Sequence, residues 1–245
     1  MGLVYRQIFE IADIHVDPFG RVKPSVILYF AQEVAGGHCV QLGLDWETLA
    51  KKGMFWAAIR HKVSVTRLPM RGETITVETW PMPTTRVAYP RAMAAYDAQG
   101  KELFRSVSLW VLMDMESRAM LLPGKSGVEV PGIVRGGELD APASLNPREL
   151  TELTHRTVGY TELDRNGHMN NTRYLDWVAD LLPSTFHSGH PVREFTVCYL
   201  SEAKESQRAA LSWMLQDDIL LVDGHREKTD VPGGKERIFT AKAVF

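Results

Sequence analysis

A chain of 245 residues with 28 basic against 30 acidic side chains is close to neutral, and with 44% hydrophobic and 24% charged residues it can bury a full globular core. That balance excludes the basic footprint of a nucleic-acid binder, and no apolar run approaches the roughly 18 residues of a membrane span, so neither nucleic acid nor membrane is expected as a partner. Cys39 and Cys198 are too few for a disulfide framework and lack zinc-ligand spacing, and the N-terminus has no apolar signal core. Free thiols in a reducing cytoplasm are expected.

In chain order, residues 3–16 alternate weakly and predict a first strand, followed by a turn at Asp17-Pro-Phe-Gly20. Pro24-Ser25 then opens a helix, with Ser25 as N-cap and a run to Ala35 that is apolar on nearly every side, which predicts burial. Gly36-Gly37 would let another group approach closely, and Gly43 is a suitable stop. A short helix near Trp46–Lys52 precedes strands marked by Val63 and Val65, by Ile75, Val77 and Thr79, and by the stretches 86–96 and 103–113. Residues 123–148 are rich in Gly and Pro and read as a linker between a first domain, 1–122, and a second, 149–245.

The second half repeats the order of the first: a strand near Arg156–Tyr160, a helix from Thr172, then strands at 194–200, 207–216, 219–223 and 236–244. Asp164, Gly167, Thr172 and Trp177 stand 147 residues after Asp17, Gly20, Ser25 and Phe30. Farther on, a spacing of 132 lays Val63, Val65, Met70 and Glu73 over Phe195, Val197, Glu202 and Glu205. The halves therefore read as an internal duplication. Phe19, Arg21 and Met70 occupy the places of Asn166, His168 and Glu202, so the polar set exists in one copy only, as one working site per chain would require.

The candidate site lies in Thr161–Trp177. Asp164, Asn166 and His168 alternate, so an extended backbone would turn all three to one face. Asn170, Asn171 and Thr172 follow as N-cap oxygens ahead of an apolar run that Pro183 ends. Backbone N–H groups at that helix start are candidates for an oxyanion hole. The remaining histidines show no metal-ligand spacing, no phosphate-binding or dinucleotide loop is present, and no metal or cofactor is expected.

Nearly the whole chain resembles the acyl-acyl carrier protein (acyl-ACP) thioesterases, the plant plastid enzymes and their bacterial relatives. The resemblance rests on Leu163-Asp-Arg-Asn-Gly-His-Met-Asn-Asn-Thr-Arg-Tyr174 and Val197-Cys-Tyr-Leu-Ser-Glu-Ala-Lys204. In the first half Pro24-Ser25, Gly53-Met-Phe-Trp56, Pro69-Met-Arg-Gly-Glu73 and Ser108-Leu-Trp-Val-Leu-Met-Asp114 add to it.

It implies an α+β fold, a tandem double hotdog with two long central helices each wrapped by an antiparallel sheet. It also implies hydrolysis of fatty acyl-ACP, with Asp164, Asn166, His168 and Glu202 as the catalytic set. Plant members carry a cysteine directly after the glutamate; here that position is Ala203, so a Cys-His-Asn mechanism lacks its nucleophile. A water activated by Glu202 as general base is expected, its pKa raised by apolar surroundings, with His168 polarising the thioester; His168 as base oriented by Glu202 fits the same residues. Asn166 would orient the water or oxyanion, and Asp164 would fix its neighbours. The acyl chain is expected between the first helix and its sheet, along 26–40 and Met54-Phe55-Trp56. Arg60, His61, Lys62, Arg67 and Arg71, or Arg165 and Arg173, would meet phosphopantetheine and an acidic carrier protein. An acyl-CoA thioesterase and a non-catalytic acyl-binding hotdog protein remain as alternatives, and the assembly is expected to be a monomer of two hotdogs or a homodimer.

Overall fold

The computed structural model describes residues 2–227 and 234–245. It divides into two compact units, Met1–Pro142 and Ala143–Phe245.

The first unit contains strands β1 (Tyr5–Glu10), β2 (Met54–Val65), β3 (Thr74–Pro81), β4 (Tyr89–Tyr96), β5 (Glu102–Asp114) and β6 (Met120–Leu121), with helices α1 (Pro24–Leu42), α2 (Trp46–Ala50) and α3 (Pro123–Ser126). Its sheet is antiparallel in the order β1-β3-β4-β5-β2, with β6 beside β5. The 19-residue α1 buries Ile27, Phe30 and Val34 completely. Ser25 is not its cap. Lys23 holds that place, Pro24 supplies the preset φ of a first helical residue, and Ser25 lies buried in the first turn. Gly43 closes the helix in the left-handed region, and Tyr5 lies so near Gly37 that a Cβ there would come within 2.5 Å of its hydroxyl.

Residues 123–142, predicted to be linker, pack into this unit. Ile133 and Leu139 lie on Trp80, Ala92, Ala94 and Val107, while Val128 and Val130 lie on Tyr89, Met54 and Leu112. The Tyr89 hydroxyl donates to the Val128 carbonyl and Ile133 N–H donates to Pro81. Irregular backbone of this kind has no period by which a sequence could reveal that it is buried.

His61, placed by sequence in a basic surface patch, is 5% exposed on β2, with Nε2 3.0 Å from Ser106 Oγ. Burial holds its imidazole neutral, with a pKa pushed down to about 3. The unfolded chain takes up that proton near pH 6.5, so the unfolded state binds more protons throughout the window between. The contribution is complete above about pH 6.5 and is lost as pH falls, by up to ~1.4 kcal/mol per unit. The melting temperature of wild type should therefore fall more steeply between pH 6.5 and 4.5 than that of His61→Gln. Parallel curves would show that the imidazole is solvated.

The second unit contains β7 (Glu152–Thr157), α4 (Arg173–Ala179), α5 (Ser184–Gly189), β8 (Glu194–Tyr199), β9 (Arg208–Gln216), β10 (Ile219–Glu227) and β11 (Lys235–Val244). Its antiparallel order, β7-β9-β10-β11-β8, repeats the strand order of the first. One long helix was expected here; two short ones form instead. The Leu181 and Leu182 N–H groups turn to the carbonyls three residues back, tightening the end of α4, and Pro183 disfavours helical backbone in the residue before it.

The backbone also corrects the residue pairing between the halves. Thr66 and Arg67 N–H both donate to Leu103 as Leu200 and Ser201 N–H both donate to Ile238, and Met70 N–H donates to Glu73 Oε1 as Lys204 N–H donates to Gln207 Oε1. The spacing is 134 residues, so Glu202 corresponds to Leu68 and Lys204 to Met70. The apparent spacing of 132 matched alternating apolar residues two positions out of register, a shift that preserves which face they occupy.

Candidate active site

The segment carrying Asp164, Asn166 and His168 is a closed turn and not the extended strand its alternation suggested. A 3₁₀ turn at Tyr160–Glu162 leads into it, Asp164 N–H donates to His168 O at 2.7 Å, and Gly167 N–H donates to Asp164 O at 3.0 Å. Gly167 takes φ +75°, the left-handed conformation that glycine adopts without cost. Asp164 Oδ1 accepts from the N–H groups of Asn166 at 2.8 Å and His168 at 3.3 Å. Asp17 makes the same bonds to Phe19 and Arg21 at 2.9 Å each, closed by Gly20 at φ +77°. The Asp-x-x-Gly turn therefore belongs to the fold in both units, and Asp164 acts on its neighbours through their backbone.

What the second turn carries differs. His168 emerges from it 16% exposed, beside the loop between β8 and β9, with Nε2 3.2 Å from Glu202 Oε2. Met169 N–H donates to Ala203 O at 2.8 Å, fixing the turn against the loop that holds Glu202. The Glu202 side chain is 45% exposed, so its setting is solvated and not the apolar enclosure expected from sequence. Asn166 stands exposed at the tip of the turn. The structure thus brings Asp164, His168 and Glu202 to one place by direct contact and leaves Asn166 at its rim.

Just before α4, whose N-cap position is Thr172, Asn170 closes a turn: its Oδ1 accepts from Thr172 N–H and Oγ at 2.9 Å each, and its carbonyl accepts from Arg173 N–H. Those two N–H groups are occupied, and a seven-residue helix has a small dipole, so the oxyanion hole predicted at this terminus loses its main support. Trp177 Nε1 and Gly159 N–H donate to the two oxygens of Glu162, tying α4 to the 3₁₀ turn. Tyr174 packs edge-on against Tyr199 and Phe239. Burial raises the pKa values of both tyrosines, with the Ala203 backbone opposing the shift at Tyr174, so both remain neutral phenols. Tyr199 donates to Asn171 O at 3.0 Å.

Sequence reasoning missed Arg226. From β10 its guanidinium donates to the Glu202 carbonyl, to Gln207 Oε1 at 2.7 Å, to Ser201 Oγ at 2.9 Å and to Glu236 Oε2 at 3.0 Å. Ser201 Oγ donates in turn to Glu236 Oε1 at 2.7 Å. A single arginine thus holds both sides of the Glu202 loop, and only the fold brings position 226 to it.

Cys198 lies within β8, 1% exposed, its Sγ 3.7 Å from Ala143 O, and Ala203 is equally buried. A thiol nucleophile is thereby absent from the described residues around His168, and the site is an imidazole–carboxylate pair open to solvent, equipment for moving protons.

Loss of the Asp164 carboxylate should act on the fold as well as on the site. Asp164→Ala leaves two turn N–H groups without their acceptor and should cost about 1–2 kcal/mol of stability, whereas His168→Ala should leave the melting temperature nearly unchanged. Denaturant unfolding of the two variants distinguishes these; equal stabilities would remove Asp164 from the role of turn anchor.

Residues 2–122 match the acyl-ACP thioesterase N-terminal domain and residues 146–228 match the acyl-ACP thioesterase C-terminal domain. The chain belongs to the acyl-ACP thioesterase family. It is 27% identical over 219 residues to dodecanoyl-[acyl-carrier-protein] hydrolase of Cinnamomum camphora, a match spanning 82% of this chain and 56% of that protein. It is 26% identical, over 82% of this chain and 52% of the other, to palmitoyl-acyl carrier protein thioesterase of Arabidopsis thaliana. Both of those proteins are chloroplastic, and the chain spans about half their length. The fold is shared with an acyl-ACP thioesterase from Bacteroides thetaiotaomicron (TM-score 0.88, 23% identity, covering 99% of this chain and 97% of the other). It is also shared with the 12:0-ACP thioesterase from Umbellularia californica (TM-score 0.82, 23% identity, covering 100% of this chain and 97% of the other).

Proposed function

We propose that the protein hydrolyses the thioester of fatty acyl-ACP, releasing free fatty acid and holo-ACP. Within the family just given, the observation that carries this reading is the His168 Nε2 to Glu202 Oε2 contact of 3.2 Å at a site open to water. A water held by the pair gives up a proton as its oxygen attacks the thioester carbon. The carbon–sulfur bond then breaks, and the proton is returned to the leaving thiolate. Glu202 acts as general base with His168 polarising the thioester, or His168 acts as base oriented by Glu202; the same contact serves both. Asn166, at the rim, orients water or the oxyanion, and Asp164 is a positioning residue.

The repeated strand order and the paired Asp-x-x-Gly turns support reading the units as tandem hotdogs with one degenerate site, in a monomer or a homodimer. Exposed Arg165 on the site's own turn and exposed Arg173 at the start of α4 suit the phosphopantetheine arm and an acidic carrier protein. The free thiols Cys39 and Cys198 suit a reducing cytoplasm, and among the described residues no helix is long and apolar enough to cross a membrane.

The test is thiol release from acyl-ACP and acyl-CoA carrying the same acyl group. The reading predicts faster release from acyl-ACP. Preference for acyl-CoA would keep the chemistry and change the partner, and binding of a non-hydrolysable acyl-pantetheine without turnover of either thioester would make the protein an acyl-binding module.

A further inference from the structure

Neither His168 nor Glu202 brings a permanent positive charge to the thioester oxygen. That oxygen becomes an anion when water attacks the carbon, and an anion in an active site needs donors already in place. The Thr172 and Arg173 N–H groups are occupied by Asn170. The loop that carries Glu202 holds a further group suited to the task.

Lys204 lies two residues beyond Glu202. Ala203 between them is 1% exposed, so the loop turns Ala203 inward and both charged side chains outward. Lys204 forms an antiparallel bridge with His168. The Met169 N–H to Ala203 O bond of 2.8 Å flanks that bridge, which makes His168 and Lys204 a non-hydrogen-bonded pair. In such a pair the opposed side chains leave on one face, with Cβ atoms about 5 Å apart. His168 Nε2 in turn meets Glu202 Oε2 at 3.2 Å. The Lys204 backbone is fixed: its N–H donates to Gln207 Oε1 at 2.9 Å and its carbonyl accepts from Gln207 N–H at 3.1 Å. Among the described residues no hydrogen bond or ion pair holds its ammonium. A fixed backbone thus carries a mobile cation with three donors beside the imidazole.

The first unit supplies the comparison. Arg21 and Met70 form the same bridge there, flanked by Val22 N–H donating to Pro69 O at 2.9 Å. The positions of Glu202 and Lys204 are held by Leu68 and Met70, both apolar. The fold therefore builds this bridge without a lysine. A cation at this position, like the carboxylate two residues before it, occurs only in the unit that has His168.

We propose that Lys204 is a catalytic residue, its ammonium binding the thioester carbonyl oxygen and stabilising the anion that forms there. As the water oxygen bonds to the carbon, the water proton passes to the His168–Glu202 pair and the carbonyl π electrons move onto the oxygen beside Lys204. Those electrons return to the carbonyl as the carbon–sulfur bond breaks. Sulfur leaves with the bonding pair and takes the proton from His168–Glu202, while Lys204 keeps its own protons throughout. The inference rests on the hydrolytic reading and deepens it.

Steady-state kinetics of Lys204→Met on acyl-ACP, and on the N-acetylcysteamine thioester of the same acid, test it. The second substrate has neither carrier nor phosphate. kcat/KM should fall about 10²-fold on both, the scale of a lost oxyanion donor, with most of the loss on acyl-ACP in kcat. Lys204→Arg should recover part of it. Since the side chain is exposed, the melting temperature should not change. A loss confined to acyl-ACP and carried by KM would make Lys204 a docking contact for the carrier and overturn the proposal. No loss on either substrate would leave it a solvated surface charge and overturn the proposal as well.

A second measurement needs no turnover. An S-pantetheinyl alkylphosphonothioate places an anionic tetrahedral phosphorus at the reacting carbon; the matching ketone, with methylene in place of sulfur, is neutral and planar there. By calorimetry wild type should bind the phosphonothioate at least about tenfold more tightly than the ketone, and Lys204→Met should lose that preference. Equal binding of the two, binding of neither, or a preference kept in Lys204→Met would overturn the proposal. A wild type that shows the preference yet releases no thiol from any thioester would overturn hydrolysis alone and leave the Lys204 anion site standing.

Discussion

Glu202→Ala is expected to lower kcat/KM for acyl-ACP by about 10²–10⁴-fold, the usual contribution of a general acid–base group. The fold should survive intact, because the side chain is 45% exposed and fills no core position, and such substitutions change stability by about 0.5 kcal/mol or less. His168→Ala should fall in the same range. The instructive case is the double variant. Groups that act as one unit are non-additive, so with a single contact of 3.2 Å linking them, removing both should cost little more than removing either. Full multiplication of the two losses in steady-state kinetics would show that His168 and Glu202 work independently and would dissolve the pair on which the mechanism rests.

Arg226→Met is expected to lower kcat by about 10²-fold, the scale on which displacement of a catalytic group by about 1 Å is felt. The reason is geometric. The guanidinium bonds the Glu202 carbonyl, Ser201, Gln207 and Glu236 at once, so its loss releases the loop at both ends. Arg226 approaches the pair only through that loop, which makes it a positioning residue, and KM for acyl-ACP should change far less than kcat. Arg226→Lys, which can satisfy one or two of the four acceptors, should recover part of the loss. A variant that loses stability while kcat per folded molecule is unchanged would reduce Arg226 to a structural tie.

Those two residues also mark what the sequence could reveal. Strands with apolar alternation and the 19-residue α1 were legible because burial imposes a period on their residues. His168 and Glu202 were legible through their motifs and the family those motifs resemble. Arg226 was not, since it lies 24 residues beyond Glu202 and reaches it only through the register of β10 beside β9. Asp164 and Asn166 were legible as a cluster but not in geometry: alternation suggested a strand, whereas Gly167 in the left-handed region and the Asp164 carboxylate bend the segment into a turn that the first unit repeats without a site. The packed segment 123–142 reads as linker in sequence because its Gly and Pro residues signal loop regardless of whether the loop is buried. His61 illustrates the reverse error: flanked by Arg60 and Lys62 it looked like surface charge, yet strand alternation turns it inward.

Rapid-quench measurement of both products from acyl-ACP, thiol and free acid, with Glu202→Ala run beside wild type, tests the central claim most directly. The account predicts that thiol and acid appear together, in equal amounts and at one rate, and that both nearly vanish in the variant. Release of thiol ahead of acid would reveal a covalent acyl-enzyme and contradict attack by water, and an unimpaired variant would contradict the His168–Glu202 site itself.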